Sequence, residues 1–360
     1  MVNKVCFFTN KIFLSGGAER VICTLASNFA ARGIDTTIIT QESTECGYPL
    51  HPGVKVVATR INCKIPGLRL FVRCMKLRKV IKDLAPDAAI SFMVDNNLFL
   101  SLFTLGLPCA RIGSDRIFPK MVTGIRAKLC PVIYPLTDGF VFQTEEAKNC
   151  FGGKFRDRSA VIANPLVGNI PERAEMPGKY VVSVGRLTKQ KRHDLLIRAF
   201  GQLHKVHPEY SLRIYGGGEL QAPLQLLIDE LGLSQSVRLM GTSKTVLEDI
   251  ADAGMFAMAS DYEGMPNALA EAIALGIPSI STDCLGGGAA ALIRDGVNGL
   301  LIPIGDEQAL AEAMTKLAED EVLAAKLGEE GKKLKQTLSV DAICRQWLDY
   351  IAQVVERKKR

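Results

Sequence analysis

The sequence predicts an α/β protein with two doubly wound domains, each a parallel sheet covered by helices. Both halves alternate short β-branched runs with helical patterns, which is typical of parallel sheets with helical crossovers. The 360 residues are enough for two domains of about 150 residues each. The stretch 164–180 holds three prolines and two glycines between two periodic regions, as a linker does. We therefore place the domain boundary near residue 170.

Short apolar runs mark the expected strands. In the first half they read KVCFFT, TTIIT, DAAISF, ARIGS, GFVFQ and SAVIA. In the second half they cover Tyr180–Gly185, Tyr210–Gly216, Ser236–Gly241, Met255–Ser260, Pro278–Asp283 and Gly299–Pro303. Ligands of such sheets bind beyond the carboxyl ends of the strands. The loops after these runs are therefore where functional residues are expected.

The composition excludes several classes of protein. Hydrophobic residues make up 48% and charged residues 23%, which is typical of a globular chain and not of a disordered one. No uncharged run reaches the roughly 20 residues of a membrane-spanning helix. The apolar run Val5–Phe8 is too short for a signal peptide, so we expect a cytoplasmic protein. Ten cysteines without a CxxC pair favour buried thiols, and four histidines make no convincing metal site.

A glycine pair follows the first predicted strand. In NKIFLSGGAERV, Gly16 and Gly17 stand between that strand and the next helix. Without a Cβ they let a phosphate approach the N–H groups of the helix start. A tight strand-to-helix turn without a ligand is the alternative.

Two cations follow the first strand of the second half. In VGRLTKQKRHDLL, Arg186 ends the strand and Lys191 comes five residues later. Both can converge on one diphosphate and neutralise the charge that grows as a phosphate leaves. A basic surface loop is the alternative, and it is our interpretation of Lys189 and Arg192.

Two carboxylates bracket a helix start in DYEGMPNALAEAIALGIPSIS. Glu263 lies in the loop and Glu271 on the helix, and Pro266 suits the first helical position. Three N–H groups are then free for an anion, those of Asn267, Ala268 and Leu269. Carboxylates repel phosphate but accept hydrogen bonds from hydroxyls, so the ligand that satisfies all these groups is a nucleotide diphosphate sugar. The alternatives are an acidic turn residue for Glu263 and an exposed helix acid for Glu271.

These loops match the motifs of a known family. GRLTKQK, RIYGGGEL, the E-x7-E element EGMPNALAE, EAIALGIPSIST and DGVNGLLIP stand in the family's order, and SGGAERV lies near the start. The chain resembles the family-4 retaining glycosyltransferases of the GT-B fold, two Rossmann-like domains facing a central cleft. The resemblance implies an acceptor-side domain over residues 1–170 and a nucleotide-sugar-binding domain over 171–338. It also implies a C-terminal helix over 339–360 that crosses back to the N-terminal domain.

The resemblance also implies roles for the candidate residues. Arg186 and Lys191 would grip the donor diphosphate, and Glu263 would position the donor-sugar hydroxyls. Glu271 would hold the ribose. Four glycines would contribute backbone, Gly16 and Gly17 at the distal phosphate and Gly217 and Gly218 near the base. The family needs neither a metal nor a cofactor.

One loop departs from the family's usual pattern. Relatives often place a His after the strand read here as ARIGS, whereas this chain has Asp115 and Arg116. Asp115 is a candidate acceptor for the proton of the acceptor hydroxyl, with ion pairing to Arg116 or helix capping as alternatives.

The predicted activity is that of a retaining hexosyltransferase. We expect transfer from a UDP-hexose or UDP-N-acetylhexosamine to a hydroxyl of a glycan acceptor, in surface polysaccharide, lipopolysaccharide or glycolipid assembly. The alternatives are a GT-B phosphorylase or sugar-phosphate synthase with a soluble acceptor, and a catalytically silent scaffold subunit. The intact set of Arg186, Lys191, Glu263 and Glu271 argues against the silent subunit.

A basic helix in the first half suggests a membrane surface. Between Arg60 and Lys82 there are eight basic residues and no acidic one. An apolar face at helical spacing would pack on the sheet. The remaining face suits an anionic membrane and consists of Arg69, Phe71, Arg73, Met75, Arg78, Lys79 and Lys82. A solvated basic helix is the alternative, and no nucleic-acid motif accompanies the stretch. We therefore expect a peripheral enzyme on the inner face of the membrane, with an acceptor on a polyprenyl diphosphate lipid.

Overall fold

The chain folds into two compact units. A computed structural model describes residues 2–12, 17–60, 66–166, 168 and 170–360, with the backbone only at 66–70. The first unit comprises Met1–Val167 and Leu338–Arg360, and the second comprises Gly168–Thr337. The predicted limits at residues 170 and 338 lie within three residues of these boundaries.

The first unit is built on one parallel sheet. Its strands are β1 (Lys4–Phe8), β2 (Asp35–Thr40), β3 (Val54–Ala58), β4 (Ala88–Phe92), β5 (Ala110–Ser114), β6 (Gly139–Phe142) and β7 (Ser159–Val161). Its helices are α1 (Gly17–Ala31), α2 (Pro66–Leu84), α3 (Val94–Phe103), α4 (Gly124–Ile133), α5 (Glu145–Asn149), α6 (Gly153–Asp157) and the late α14 (Val340–Lys359). Short 3₁₀ helices cover Pro119–Met121 and Tyr134–Leu136. Within the described residues the sheet order is β3-β2-β1-β4-β5-β6-β7.

The second unit repeats this plan. Its strands are β8 (Gly178–Val184), β9 (Ser211–Tyr215), β10 (Val237–Gly241), β11 (Ala253–Met258), β12 (Ser279–Thr282) and β13 (Leu300–Ile302). Its helices are α7 (His193–Val206), α8 (Gln221–Glu230), α9 (Val246–Asp249), α10 (Asn267–Leu275), α11 (Glu307–Glu319), α12 (Glu321–Lys332) and α13 (Leu334–Thr337), with a 3₁₀ helix at Lys189–Lys191. In the part of the chain that is described, the strand order is β10-β9-β8-β11-β12-β13. Two parallel, doubly wound sheets confirm the predicted fold class.

Strand β3 is missing from the sequence prediction. Its five residues, VKVVA, include the exposed Lys55, and none of them is fully buried. Lys55 binds Asp35 of the neighbouring strand, with 2.9 Å between Nζ and Oδ1. Because β3 lies at the edge of the sheet that the described strands form, it needs no continuous apolar run, and its sequence signal is weak.

Helix α14 packs against the first unit, where it contacts α1 and β5. The side chain of Ser339 caps its start by accepting a hydrogen bond from the backbone of Ala342. Trp347 is fully buried and lies against the Phe92 ring, with 5.7 Å between the ring centroids. The Tyr350 hydroxyl accepts a 2.8 Å hydrogen bond from the Phe140 N–H. The segment after residue 338 therefore completes the core of the first unit.

The described cysteines behave as the composition predicts. All nine are free thiols and seven of them are buried. In the same described ranges, no helix is long and apolar enough to cross a membrane.

Candidate active site

The loops of the second unit place the predicted donor residues after two neighbouring strands. β8 and β11 are adjacent, and the strand order reverses between them. Arg186 and Lys191 follow β8, and Glu263 follows β11. Such a reversal point opens a crevice at the carboxyl ends of the strands, which is where open α/β sheets bind their ligands. The topology therefore brings these three residues to one edge of the sheet.

Lys191 and Glu263 form a direct ion pair at this edge. Lys191 Nζ lies 2.5 Å from Glu263 Oε1, and the two side chains are only 14% and 10% exposed. Removing two charges from water is costly, and close pairing offsets that cost. The structure thus holds an acidic and a basic side chain in direct contact in a place from which most water is excluded.

Further contacts fix this pair, and the sequence analysis did not identify them. The Gln190 side-chain amide donates to the Tyr262 carbonyl at 2.7 Å, and the Asp261 N–H donates to the Gln190 carbonyl at 2.9 Å. Arg192, which we expected in a basic surface loop, pairs with Asp194 at 3.2 Å and with Asp261 at 3.3 Å. The loops after β8 and β11 are therefore joined by backbone and side-chain contacts on both sides of the ion pair.

The start of α10 differs slightly from the prediction. Pro266 is the N-cap and not the first helical residue, because its ψ of 100° is extended. The first N–H groups of a helix have no acceptor within the helix, and here they belong to Asn267, Ala268 and Leu269.

Glu271 and Arg186 have different environments. Glu271 lies on α10 and is buried, so the alternative of an exposed helix acid is wrong. Arg186 is exposed, and among the residues that the structure describes its guanidinium has no hydrogen-bond or ion-pair partner. Arg186 is thus a free cation close in sequence to a paired one.

The glycines after β9 interlock with the loop that carries Arg186. Gly216 has a φ of 140°, and a Cβ there would lie 1.9 Å from the Gly185 carbonyl oxygen. A Cβ at Gly218 would lie 2.4 Å from the Leu187 carbonyl oxygen. The Leu187 N–H donates to the carbonyl of Gly217 at 3.0 Å. Only residues without a side chain allow this approach of two backbones.

The loop Cys284–Gly288 also borders the ion pair and is absent from the sequence prediction. The Glu263 N–H donates to the Leu285 carbonyl at 2.9 Å. A Cβ at Gly288 would lie 2.3 Å from the Gly264 carbonyl oxygen. The run of three glycines, Gly286–Gly288, is the sequence signal that identifies this loop.

In the first unit, Asp115 is a buried carboxyl at the end of β5. Its Oδ2 accepts a hydrogen bond of 3.1 Å from the Tyr134 hydroxyl. Its Oδ1 is buried and has no partner among the described residues. Burial raises the pKa of Asp115 to about 7, against the opposing effect of the Tyr134 hydrogen bond. A buried carboxyl that titrates near neutral pH is typical of functional sites.

Both alternatives for Asp115 are wrong. Arg116 forms no ion pair with it in the described part of the chain; its guanidinium donates to Asn164 and lies 4.4 Å from the centre of the Phe92 ring. Asp115 does not cap the helix that follows, because the N-cap of that 3₁₀ helix is Phe118.

We expect replacement of Asp115 by Asn to stabilise the protein at high pH. The folded carboxyl has a pKa of about 7 and the unfolded one about 3.8, so the folded state holds a proton that the unfolded chain releases. The stability of the wild type therefore falls as the pH rises from 4 to 7. Urea unfolding at pH 5 and pH 8 measures how much higher the free energy of unfolding of the variant is than that of the wild type. This difference should be about 2 kcal/mol larger at pH 8 than at pH 5. The exposed Asp83→Asn is the control, and an equal gain at both pH values contradicts the assignment.

The glycine pair of the first unit is only partly described. Gly17 is the first residue of α1 and is exposed. Gly16 lies outside the described residues.

The basic helix α2 presents fewer free cations than its sequence predicts. Phe71 and Met75 are exposed, as are Lys79 and Lys82. Two other predicted cations contact the protein itself: Arg73 donates to Asn10 Oδ1 at 2.9 Å, and Arg78 donates to the Leu105 carbonyl at 2.7 Å. The side chain of Arg69 lies outside the described residues. Among the described side chains of this face, Lys79 and Lys82 are therefore the free cations.

Family models match both parts of the chain. The model for glycosyl transferases group 1 matches residues 170–334, and the glycosyl transferase 4-like model matches residues 4–96.

Three named relatives are between 26% and 36% identical to the chain over the residues that align. An exopolysaccharide phosphotransferase of Streptomyces coelicolor is 36% identical over 62% of this chain, which covers only 24% of that protein. A Campylobacter jejuni alpha-1,4-N-acetyl-D-galactosaminyltransferase is 27% identical over 94% of this chain and 96% of its own length. A lipopolysaccharide core biosynthesis glycosyltransferase of Rhizobium meliloti is 26% identical over 94% and 96%.

Solved structures match nearly the whole chain. The lipopolysaccharide outer core galactosyltransferase WaaB has a TM-score of 0.79 at 20% identity, over 97% of this chain and 99% of its own. Anabaena HepE in complex with UDP and glucose has a TM-score of 0.81 at 17% identity, over 98% and 100%. At these identities the likeness shows the fold. The two family matches show that the chain is a glycosyltransferase with a group 1 domain in its second half, and the likeness to solved structures shows that its fold is GT-B.

Proposed function

We propose that the chain transfers a hexose or N-acetylhexosamine from a UDP-sugar to a hydroxyl of a lipid-linked glycan, with retention of anomeric configuration. The observation that carries the proposal is the set of opposite charges beyond β8 and β11. Arg186 is a free cation there, and Lys191 is held 2.5 Å from Glu263. A diphosphate needs cations, and a sugar needs hydrogen-bond acceptors, at neighbouring points.

The chemistry follows from the charges. As the glycosidic bond to the diphosphate breaks, negative charge grows on the leaving oxygen, and Arg186 and Lys191 would stabilise it. Because two side-chain cations supply this charge, we expect transfer without a divalent metal. Glu263 is neutralised by Lys191, which makes it a poor nucleophile and a good acceptor for sugar hydroxyls. This supports front-face attack by the acceptor, in which no covalent intermediate forms and the anomeric configuration is retained.

Asp115 is our candidate for the group that assists the acceptor hydroxyl. A carboxyl with a pKa of about 7 exchanges protons easily at neutral pH, and its Oδ1 has no partner among the described residues. Tyr134 fixes the other oxygen.

The relatives support the glycan setting of the proposal. Two Campylobacter jejuni relatives that match 94% of this chain are named as N-acetylgalactosaminyltransferases that act on diphospho-undecaprenol glycans. The Rhizobium meliloti relative is named for lipopolysaccharide core synthesis. The phosphotransferase name belongs to a protein of which this chain covers 24%, so it does not extend to the proposal.

The test is acceptor-dependent release of UDP. The protein is incubated with UDP-glucose, UDP-galactose and their N-acetylated forms, with an undecaprenyl-diphosphate glycan as acceptor, in the presence and absence of EDTA. We expect release from one donor, unaffected by EDTA, and an α-linked product by nuclear magnetic resonance. A β-linked product contradicts retention, and donor binding without any turnover favours a silent subunit.

The exposed face of α2 supports a peripheral position on the cytoplasmic side of a membrane. Phe71 and Met75 would enter the lipid surface, and Lys79 and Lys82 would contact anionic headgroups. The double substitution Lys79→Glu with Lys82→Glu should weaken binding to anionic vesicles in a flotation assay. Unchanged flotation contradicts this role for α2.

A further inference from the structure

Helix α4 carries an apolar stripe that the described part of the chain leaves exposed. Three of its aliphatic residues recur at i, i+4 and i+7, which places them on one side of the helix. A fourth follows in the next 3₁₀ helix. Their exposed fractions are 73% for Ile125, 37% for Leu129, 69% for Val132 and 39% for Leu136. Of the ten residues of α4, all of them described, only Cys130 and Ile133 are buried. The helix thus rests on the unit by one side and presents aliphatic side chains on another.

The surroundings of this stripe are basic. Between residues 117 and 137 the sequence contains Lys120, Arg126 and Lys128 and no acidic residue. Arg126 binds Asp95 of α3, with 2.6 Å between Nε and Oδ1. Lys128 is exposed and has no ion-pair partner in the described ranges. A stripe of aliphatic side chains bordered by the exposed Lys120 and Lys128 suits the interface of an anionic bilayer.

The position of α4 in the first unit also favours contact between the stripe and a bilayer. Helix α3 contacts both α2 and α4. Phe71 and Met75 of α2 are 62% and 51% exposed. Two helices with exposed apolar residues and unpaired lysines therefore flank the same central helix.

We propose that the α4 stripe, Ile125, Leu129, Val132 and Leu136, inserts into the surface of an anionic lipid bilayer. The inference rests on the proposed function, since a lipid-linked acceptor is held in a bilayer. A second copy of the chain is the competing occupant. A stable dimer buries about 800 Å² on each partner, which is more than four partly exposed aliphatic side chains offer. The excess of positive charge also disfavours the pairing of two identical faces.

The test is flotation of the full chain with two kinds of vesicle, phosphatidylcholine alone and an equal mixture with phosphatidylglycerol. The double substitution Ile125→Ser with Val132→Ser should weaken partition into the mixed vesicles by about tenfold or more. The matched control is Leu226→Ser with Val322→Ser in the second unit, where the side chains are 63% and 80% exposed. The control should float like the wild type.

Three results would overturn the inference. They are a wild type that does not float with anionic vesicles, a stripe variant that floats as well as the control, and light scattering that shows a dimer in the wild type and a monomer in the stripe variant. Flotation requires no donor, so the two proposals fail separately. A wild type that floats through the stripe but releases no UDP contradicts only the proposed function.

Discussion

Replacement of Lys191 by Met is expected to lower kcat/KM for the donor by about 100-fold or more. The variant lacks a cation at the leaving diphosphate. In the wild type the Glu263 carboxylate lies 2.5 Å from the Lys191 ammonium group, and in the variant it stays largely buried without this partner. An unpaired buried charge typically costs about 3 kcal/mol of the free energy of unfolding. Acceptor-dependent UDP release and urea unfolding measure the two effects.

Two companion variants separate the charge effect from general damage. The double substitution Lys191→Met with Glu263→Gln removes both charges, so it should recover most of the stability and none of the activity. Lys189→Met makes the same chemical change at an exposed position two residues earlier and should affect neither. If Lys191→Met and Lys189→Met have the same free energy of unfolding, the ion pair has no structural role. Activity in the double variant contradicts the catalytic role.

The second large effect is expected for Gly218→Ala. Its new Cβ would lie 2.4 Å from the Leu187 carbonyl oxygen, and both backbones would have to move apart. We expect a loss of about 2 to 3 kcal/mol in the free energy of unfolding. The donor Kd should rise at least about tenfold, because the displaced loop carries Arg186. Urea unfolding and calorimetry with UDP measure both quantities.

Gly217→Ala is the matched control for the unfolding part of this prediction. It makes the same substitution one residue earlier, where the nearest atom to a new Cβ, Thr242 Cγ2, is 3.6 Å away. Both variants restrict the unfolded chain equally, so their difference isolates the close approach of the two backbones. Equal free energies of unfolding in the two variants would show that the interlock is unimportant for stability, and a wild-type UDP affinity in Gly218→Ala would show that it is unimportant for binding.

The sequence predicts the fold well because most strands of both sheets are buried on both faces. Runs such as DAAISF and YVVSVG are mostly apolar and are bounded by loops, which makes them easy to recognise. Strand β3 is missing from the prediction because it lies at a sheet edge and none of its residues is fully buried. The prediction therefore fails where burial, the physical cause of the pattern, is weakest.

The sequence predicts which loops carry the site residues, but it does not predict which residues these contact. Arg186, Lys191 and Glu263 are identified by their positions after strands, and the topology places them at one edge. Their contacts depend on packing between segments 72 residues apart, so the hydrogen bond from Gln190 to Tyr262 has no local sequence signal. For the same reason the sequence overstates the free charge of α2, where Arg78 donates hydrogen bonds to the carbonyls of Phe103, at the end of α3, and Leu105.

The position of α14 has a consequence for folding during synthesis. The second unit is a continuous segment, Gly168–Thr337, whereas the first is assembled from residues made before and after it. While the second unit emerges from the ribosome, the sheet of the first still lacks the helix whose Trp347 and Tyr350 cover Phe92 and bind Phe140. Apolar surface of the first unit thus stays open throughout the translation of some 170 residues, a period in which chaperones and proteases compete with α14 for the same surface.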